Sequence, residues 1–294
     1  MKYITETRLS KDYSCLYQNI SSIESNPEKW IKSIAEVSTE DLYDRTLELQ
    51  VEVTQDEVMK YLVNDPSWEK SQNALDLGCG PGHLFTVLTN YFPKKKYTGI
   101  DLNPTFINFA KSYFKDSKIS WIQHDIYDFK PKSKFDYVHV RALLQHLPSI
   151  PKFLDTLENM VQNRGTVLFL DAAGNESKNV DFLPALPYYQ KMFSELANKQ
   201  RAKGGNRNCL QDMLNIVSEY KFKVLDEKEF FACSTRDSLS DTYFLFTFFV
   251  CELLERIYEI KSDRSVYIRE LIRWHNHNPN YAQFHGKWVK LEKI

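Results

Sequence analysis

The sequence predicts an α/β protein, with a mainly parallel sheet of seven strands covered by helices on both faces. Three observations lead there. From residue 54 onward, strand-sized apolar runs alternate with segments of helical spacing. A knot of glycines separates the first such run from the helix after it. The 294 residues are 43% hydrophobic and 14% aromatic, enough to bury a large core.

Residues 1–70 read as an N-terminal helical lid, and residues 71–294 as the core domain, with an accessory segment at about 172–208. Thr54 and Glu57 have the spacing of a capping box, opening a helix with Val58, Tyr61 and Leu62 inward. Asn73–Leu77 is a short buried strand, followed by the glycines and a helix from His83 to about Tyr91. Lys96–Asp101 is the second strand; Asn103 and Pro104 then supply an N-cap and a first helical residue for a helix with Phe106, Ile107, Ala110 and Tyr113 inward. Ile119–Gln123 and Phe135–Val140 are the third and fourth strands, joined by a polar loop. Pro151 opens a helix with Phe153, Leu154, Leu157, Met160 and Val161 on one face, and Thr166–Leu170 is the fifth strand.

The accessory segment holds Pro184, Pro187 and Gly204–Gly205. Beyond it lie a helix at Cys209–Tyr220, a strand at Phe222–Phe231 and a long helix from about 240 to 260 with Glu252, Glu255 and Glu259 along a polar stripe. Lys287–Leu291 reads as the last strand, antiparallel to its neighbours. In such a sheet a ligand belongs at the carboxyl ends of the strands.

Composition narrows the function classes. With 38 basic against 39 acidic residues, no general grip on nucleic acid phosphates is expected. The first residues mix charges without a signal-peptide apolar run, and Tyr243–Leu254, the longest apolar stretch, is too short to span a bilayer. Five scattered cysteines without a CxxC pair argue against a disulfide framework or a cysteine zinc site, so a cytoplasmic, non-membrane protein is expected.

Three of the nine glycines fall within five positions, as Gly78, Gly80 and Gly82. At a strand-to-helix turn they let backbone approach a ligand. The dinucleotide fingerprint GxGxxG would need glycine where His83 stands, which disfavours a nicotinamide oxidoreductase. Asp76 would sit poorly beside a pyrophosphate and suits a cationic ammonium. Asp101, at the end of the second strand, is placed to take both hydroxyls of a ribose.

Leu75–Gly82 resembles the first motif of the class I S-adenosylmethionine-dependent methyltransferases, whose fold is Rossmann-like. Gly99–Leu102 resembles the second, with Asp101 as ribose ligand, and His124–Ile126 the adenine segment, with Asp125 toward the amino group. Arg141–Pro148 is similar to the stretch bordering the methionine end and the substrate; Arg164 and Gly165 depart from the family's Pro-Gly-Gly turn. This likeness covers about residues 73–171. Asp41–Gln50 looks like the pre-core helix of small-molecule methyltransferases related to the ubiquinone/menaquinone branch, in which the positions of Tyr43, Arg45 and Gln50 reach over the cofactor.

The resemblance implies S-adenosyl-L-methionine as cofactor. It implies contacts from Asp76, Gly78, Cys79, Gly80, Gly82, Asp101, Leu102, Asp125, Ile126, Arg141, Tyr43, Arg45 and Gln50, and no metal. Methyl transfer is an in-line displacement that needs a base only when the acceptor must lose a proton early; His146, Tyr43 and Asp171 are the candidates. The expected acceptor is a small molecule methylated on N or O. A peptide methyltransferase using the Gly204–Gly205 segment, and a catalytically silent cofactor-binding partner or sensor, remain as alternatives.

Bland readings stand beside several of these. Asp125 is equally a turn cap, Arg141 a surface residue, His146 a structural histidine and Cys79 a packing residue. His275, His277 and His285 read as a polar loop, because no carboxylate or cysteine stands at ligand spacing. The aromatics at 188, 189, 193, 230, 231, 243, 244, 246, 248 and 249 are core residues or the walls of an acceptor cavity.

Overall fold

In the computed structural model, described for residues 14–114, 118–173, 180–202, 208–234 and 239–294, one twisted sheet organises the chain. Gly204–Gly205 lies outside those residues. Four connections build the parallel part: β1 (Asn73–Leu77) between β2 (Lys96–Asp101) and β4 (Phe135–Arg141), β3 (Ile119–Gln123) beside β2, and β5 (Val161–Ala172) beside β4. The strands expected from sequence are present, and β3 passes to β4 without a helix. Ala74, Leu75 and Leu77 of β1 are fully buried, as a central strand covered on both faces requires.

Among the described residues the sheet has eight strands, one more than expected. The extra strand, β6 (Val180–Leu183), comes from the accessory segment and pairs with the first residues of β8 (Tyr281–Lys293). β8 runs antiparallel to β5, and β7 (Phe222–Cys233) closes its other side. Only four residues form β6, and their pairing partner is a distant strand, so no local pattern announces it.

Helices cover both faces. Against one lie α7 (Ile150–Met160), capped by Ser149, and α9 (Cys209–Ile216), burying Leu154, Leu157 and Met213 on Leu75, Val138 and Phe169. On the other, α4 (Pro66–Lys70), α5 (His83–Tyr91) and α6 (Pro104–Tyr113) pack Trp68, Phe85 and Ile107 into a core that continues into a helical layer. That layer combines α1 (Ile20–Ser25), α2 (Pro27–Ala35), α3 (Thr39–Val63), α8 (Pro187–Ala202), α10 (Leu239–Tyr258) and α11 (Arg264–His275). Trp30 stands 4.3 Å from Phe248, joining the first and last thirds of the chain.

Three local expectations yield to tertiary context. Thr54 and Glu57 do not open a helix: α3 is continuous from Thr39 and capped by Ser38, and the Thr54 hydroxyl donates back to the Gln50 carbonyl at 2.9 Å. Glu252 is 1% exposed and not on a polar stripe, because α11 lies over it and brings Arg264 Nε within 2.6 Å and the Tyr267 hydroxyl into hydrogen bond. The segment holding His275, His277 and His285 is not one loop; it spans the end of α11 and the middle of β8. There His275 meets Asp241, His277 the Pro279 carbonyl and His285 Glu229, in separate places. No helix among the described residues is long and apolar enough to cross a membrane.

Candidate cofactor site

The site is built where β1 turns into α5. Gly78, Gly80 and Gly82 take φ values of 68°, 54° and 88°, the left-handed region that strains any other residue. The turn is tied to the neighbouring strand: the amides of Gly78 and Cys79 donate to the Ile100 carbonyl at 2.9 and 3.0 Å. A methyl group at Gly82 would come within 2.3 Å of Trp121, so that glycine also admits β3's side chain.

Asp101 closes the far side. One carboxylate oxygen accepts from the Gly80 amide at 2.8 Å and the other from the Asn103 amide at 2.8 Å. Burial raises its pKa, against the pull of those amides and of the His146 charge. Each oxygen keeps a second lone pair for a ribose hydroxyl. Leu102, the next residue, is 65% exposed, an apolar side chain left at the carboxyl edge of β2 where a flat base would cover it.

Asp76 is 3% exposed within β1. Burial pushes its carboxyl up to about 7, opposed by the charge of Arg141 and reinforced by that of Asp101. Arg141, at the end of β4, is itself lowered by burial and supported by Asp76. Among the described residues the two do not close into an ion pair. A buried carboxyl and a half-buried guanidinium that sense each other without meeting are matched in charge to a zwitterion set between them, ammonium on Asp76 and carboxylate on Arg141. That is the end group of a methionine.

The remaining residues divide. Asp125 and Ile126 follow β3, and the His124 amide is held on the Asp101 carbonyl at 3.0 Å, so this loop shares the carboxyl edge with Asp101. Asp125 Oδ1 accepts from the Tyr127 amide at 2.9 Å, so it does cap a turn; Ile126 is buried with Leu75 and Ile100. Cys79 is buried, with burial raising its thiol well above the ordinary range, which suits packing and not nucleophilicity.

Tyr43, Leu47 and Gln50 share one face of α3 at helical spacing, and Leu47 lies over Gly80. The Tyr43 ring is 5.4 Å from Phe106, and its phenol is pushed up to about 12, first by burial and then by Tyr258 and Asp101. Arg45, about 200° further round the helix, is not brought to the loop. Its guanidinium meets Glu48 at 2.8 Å and Glu52 at 3.3 Å and lies over the Tyr17 ring.

Of the three base candidates, Tyr43 and His146 both act electrostatically with Asp101. His146 is exposed in a short turn at Leu144–His146 and its charge reaches Asp101. Asp171, near the end of β5, accepts from the Ala172 amide and acts on Cys209 of α9. Tyr43 holds its proton at neutral pH. A cavity of about 520 Å³ lies elsewhere, between the second half of α3 and β7–β8, with Tyr61, Asp65 and Trp288 in its wall. Among the described residues no three side chains group as metal ligands.

Sequence reasoning missed the contacts that seat α3 on the loop, Leu47 over Gly80 and Asp44 on His83, as well as Leu143 beside Gly78. Their one visible signal was the helical spacing of 43, 47 and 50.

The chain is similar in sequence and fold to known proteins. The family described as methyltransferase domain matches residues 74–165. The chain is 30% identical over 127 residues to a malonyl-[acyl-carrier protein] O-methyltransferase of Anoxybacillus flavithermus, covering 43% of this chain and 47% of that protein. It is 31% identical over 99 residues to a trans-aconitate 2-methyltransferase of Escherichia fergusonii, covering 34% and 38%. The chain thus matches less than half the length of these curated relatives. A geranyl diphosphate C-methyltransferase from Streptomyces coelicolor superposes with a TM-score of 0.50 at 11% identity, over 85% of this chain and 83% of that one, a likeness of fold. From β1 through the start of β5, then, the chain matches a methyltransferase-domain family and is similar to S-adenosylmethionine-dependent methyltransferases of class I.

Proposed function

We propose that the protein transfers a methyl group from S-adenosylmethionine to an N or O atom of a small-molecule acceptor. The observation that carries this is the unclosed Asp76–Arg141 pair beside a left-handed glycine turn and Asp101, a set matched in charge to an amino-acid end and a ribose. One relative is named for a small acid, trans-aconitate, which supports a small acid as acceptor, and the other for a malonyl group on an acyl-carrier protein.

When bound, S-adenosylmethionine supplies an activated methyl on a sulfonium, so the chain's work is alignment and exclusion of water. In this reading Asp76 and Arg141 anchor the methionine end, Asp101 fixes the ribose, and Leu102, Asp125 and Ile126 border the adenine. Tyr43 and Gln50 approach from α3 and shield the ribose side, with Tyr43 donating from a phenol that stays protonated. His146 is the better placed proton acceptor, because it is exposed at the site's carboxyl edge, where its charge acts on Asp101. Where the acceptor is already an anion, no base is needed and His146 only lines the entrance.

The test is thermal melting with S-adenosylmethionine, S-adenosylhomocysteine and NAD, followed by methyl transfer to a panel of amines and carboxylic acids. Ligand at about 100 times its dissociation constant adds about 2.7 kcal/mol, which moves the midpoint by several degrees. A shift with the two sulfur nucleosides and transfer to a panel member is the expected result. A shift with NAD alone overturns the reading, and binding without transfer to any acceptor returns the silent sensor.

A further inference from the structure

We propose that Asp44 and His83 are a positioning pair that couples the seat of α3 on the glycine turn to cofactor binding; this rests on the S-adenosylmethionine reading above. His83 is the first residue of α5, directly after Gly82, and Asp44 lies in the second turn of α3. Asp44 Oδ1 and His83 Nε2 are 2.9 Å apart across 39 positions of chain, with exposures of 7% and 4%. The imidazole is walled by Phe109 and Phe114, edge-on at 6.0 and 6.4 Å.

The same stretch of α3 touches the site at three points. Tyr43 meets Phe106 just beyond Asp101, Leu47 covers Gly80, and Asp44 between them bonds His83. Two of these contacts are apolar and tolerate sliding. The buried polar pair does not: a shifted α3 breaks a directional hydrogen bond between two buried side chains. Gly82 caps α5 with no side chain, so Asp44, acting through His83, also brings the negative charge that the amino end of that helix favours. The pair therefore fixes the register of α3 against the turn, and the turn's shape against α3. A ligand that orders one must order the other, and loosening either weakens the ligand.

The test uses the full chain, titration calorimetry with S-adenosylhomocysteine, and hydrogen exchange with and without that ligand. In the unaltered protein the ligand protects residues 78–85 and 39–50 together. Asp44→Ala and His83→Phe are expected to lower affinity on the order of tenfold and to lose ligand-induced protection in 39–50 while keeping it in 78–85. The double variant should be no weaker than either single one, and Asp44→Asn, which keeps an acceptor for the ring N–H, should recover most of the affinity. Should either truncation fail to fold, Asp44→Asn and His83→Gln carry the test, with α3 protection restored by the first and reduced by the second. Folded variants that bind as tightly as the parent with α3 still protected, or additive losses in the double variant, overturn the pair's role alone. A parent protein that binds no S-adenosylhomocysteine overturns the cofactor reading and with it this one.

Discussion

Replacing Asp76 with Asn separates two consequences of one buried carboxyl. Its pKa is about 7 in the folded protein against 3.8 as the ordinary value. The folded state therefore binds the proton more tightly than the unfolded state does, and stability falls as pH rises from 3.8 through 7. At about 1.36 kcal/mol per unit, the charged carboxylate costs the free protein up to about 4 kcal/mol above pH 7. Asn removes that cost, less what Arg141 loses with its counter-charge, so the free variant should melt several degrees higher than the parent at pH 8, by less than half that margin at pH 5, and no higher below pH 3.8.

Binding responds in the opposite direction. An ammonium ligand needs the charged form, so affinity for S-adenosylhomocysteine should be constant above about pH 7.5 and fall about tenfold per unit below pH 7. The variant should bind weakly with no such slope. Thermal melting and calorimetry between pH 5 and 8 read both effects. Flat affinity in the parent over that range, or a variant that binds as tightly as the parent, would refute the placement of the ammonium at Asp76.

Other substitutions probe neighbouring elements. Arg141→Met should weaken S-adenosylhomocysteine and, by removing the charge that lowers Asp76, move the pH slope upward; calorimetry at pH 7 and 8 measures both. Asp101→Ala deprives two backbone amides and the ribose diol of their acceptor, with an expected loss of about 1–3 kcal/mol in nucleoside binding. Gly82→Ala combines a left-handed backbone with a 2.3 Å approach to Trp121, and should cost more in melting temperature than Gly80→Ala, where Leu47 stands at 3.3 Å and can yield. Arg45→Met should lower the melting temperature by loosening the N-terminal helices, and leave nucleoside affinity nearly unchanged.

What the sequence disclosed was what short stretches of backbone enforce. A left-handed turn needs glycine, which exposes Gly78, Gly80 and Gly82; a helix start needs a capping side chain, which exposes Asn103. Strands covered on both faces carry dense apolar runs, which exposes β1, β4 and the second half of β5. Features set by distant chain were not legible. Thr54 has the spacing of a cap, yet the helix had already begun at Thr39. Glu252 looks solvent-facing until Arg264 and Tyr267 cover it. His83 looked informative only as a missing glycine, because nothing near it reveals that its partner stands 39 residues earlier. Arg45 lies two positions from Tyr43, and a helix turns adjacent odd positions to opposite sides.

A crystal structure with S-adenosylhomocysteine tests the whole account at once. It should place the adenine beside Leu102, both ribose hydroxyls on Asp101, and the amino-acid end between Asp76 and Arg141, with α3 closed across the glycine turn. A nucleoside seated anywhere else, or Asp76 and Arg141 still facing each other with no ligand between them, would contradict it.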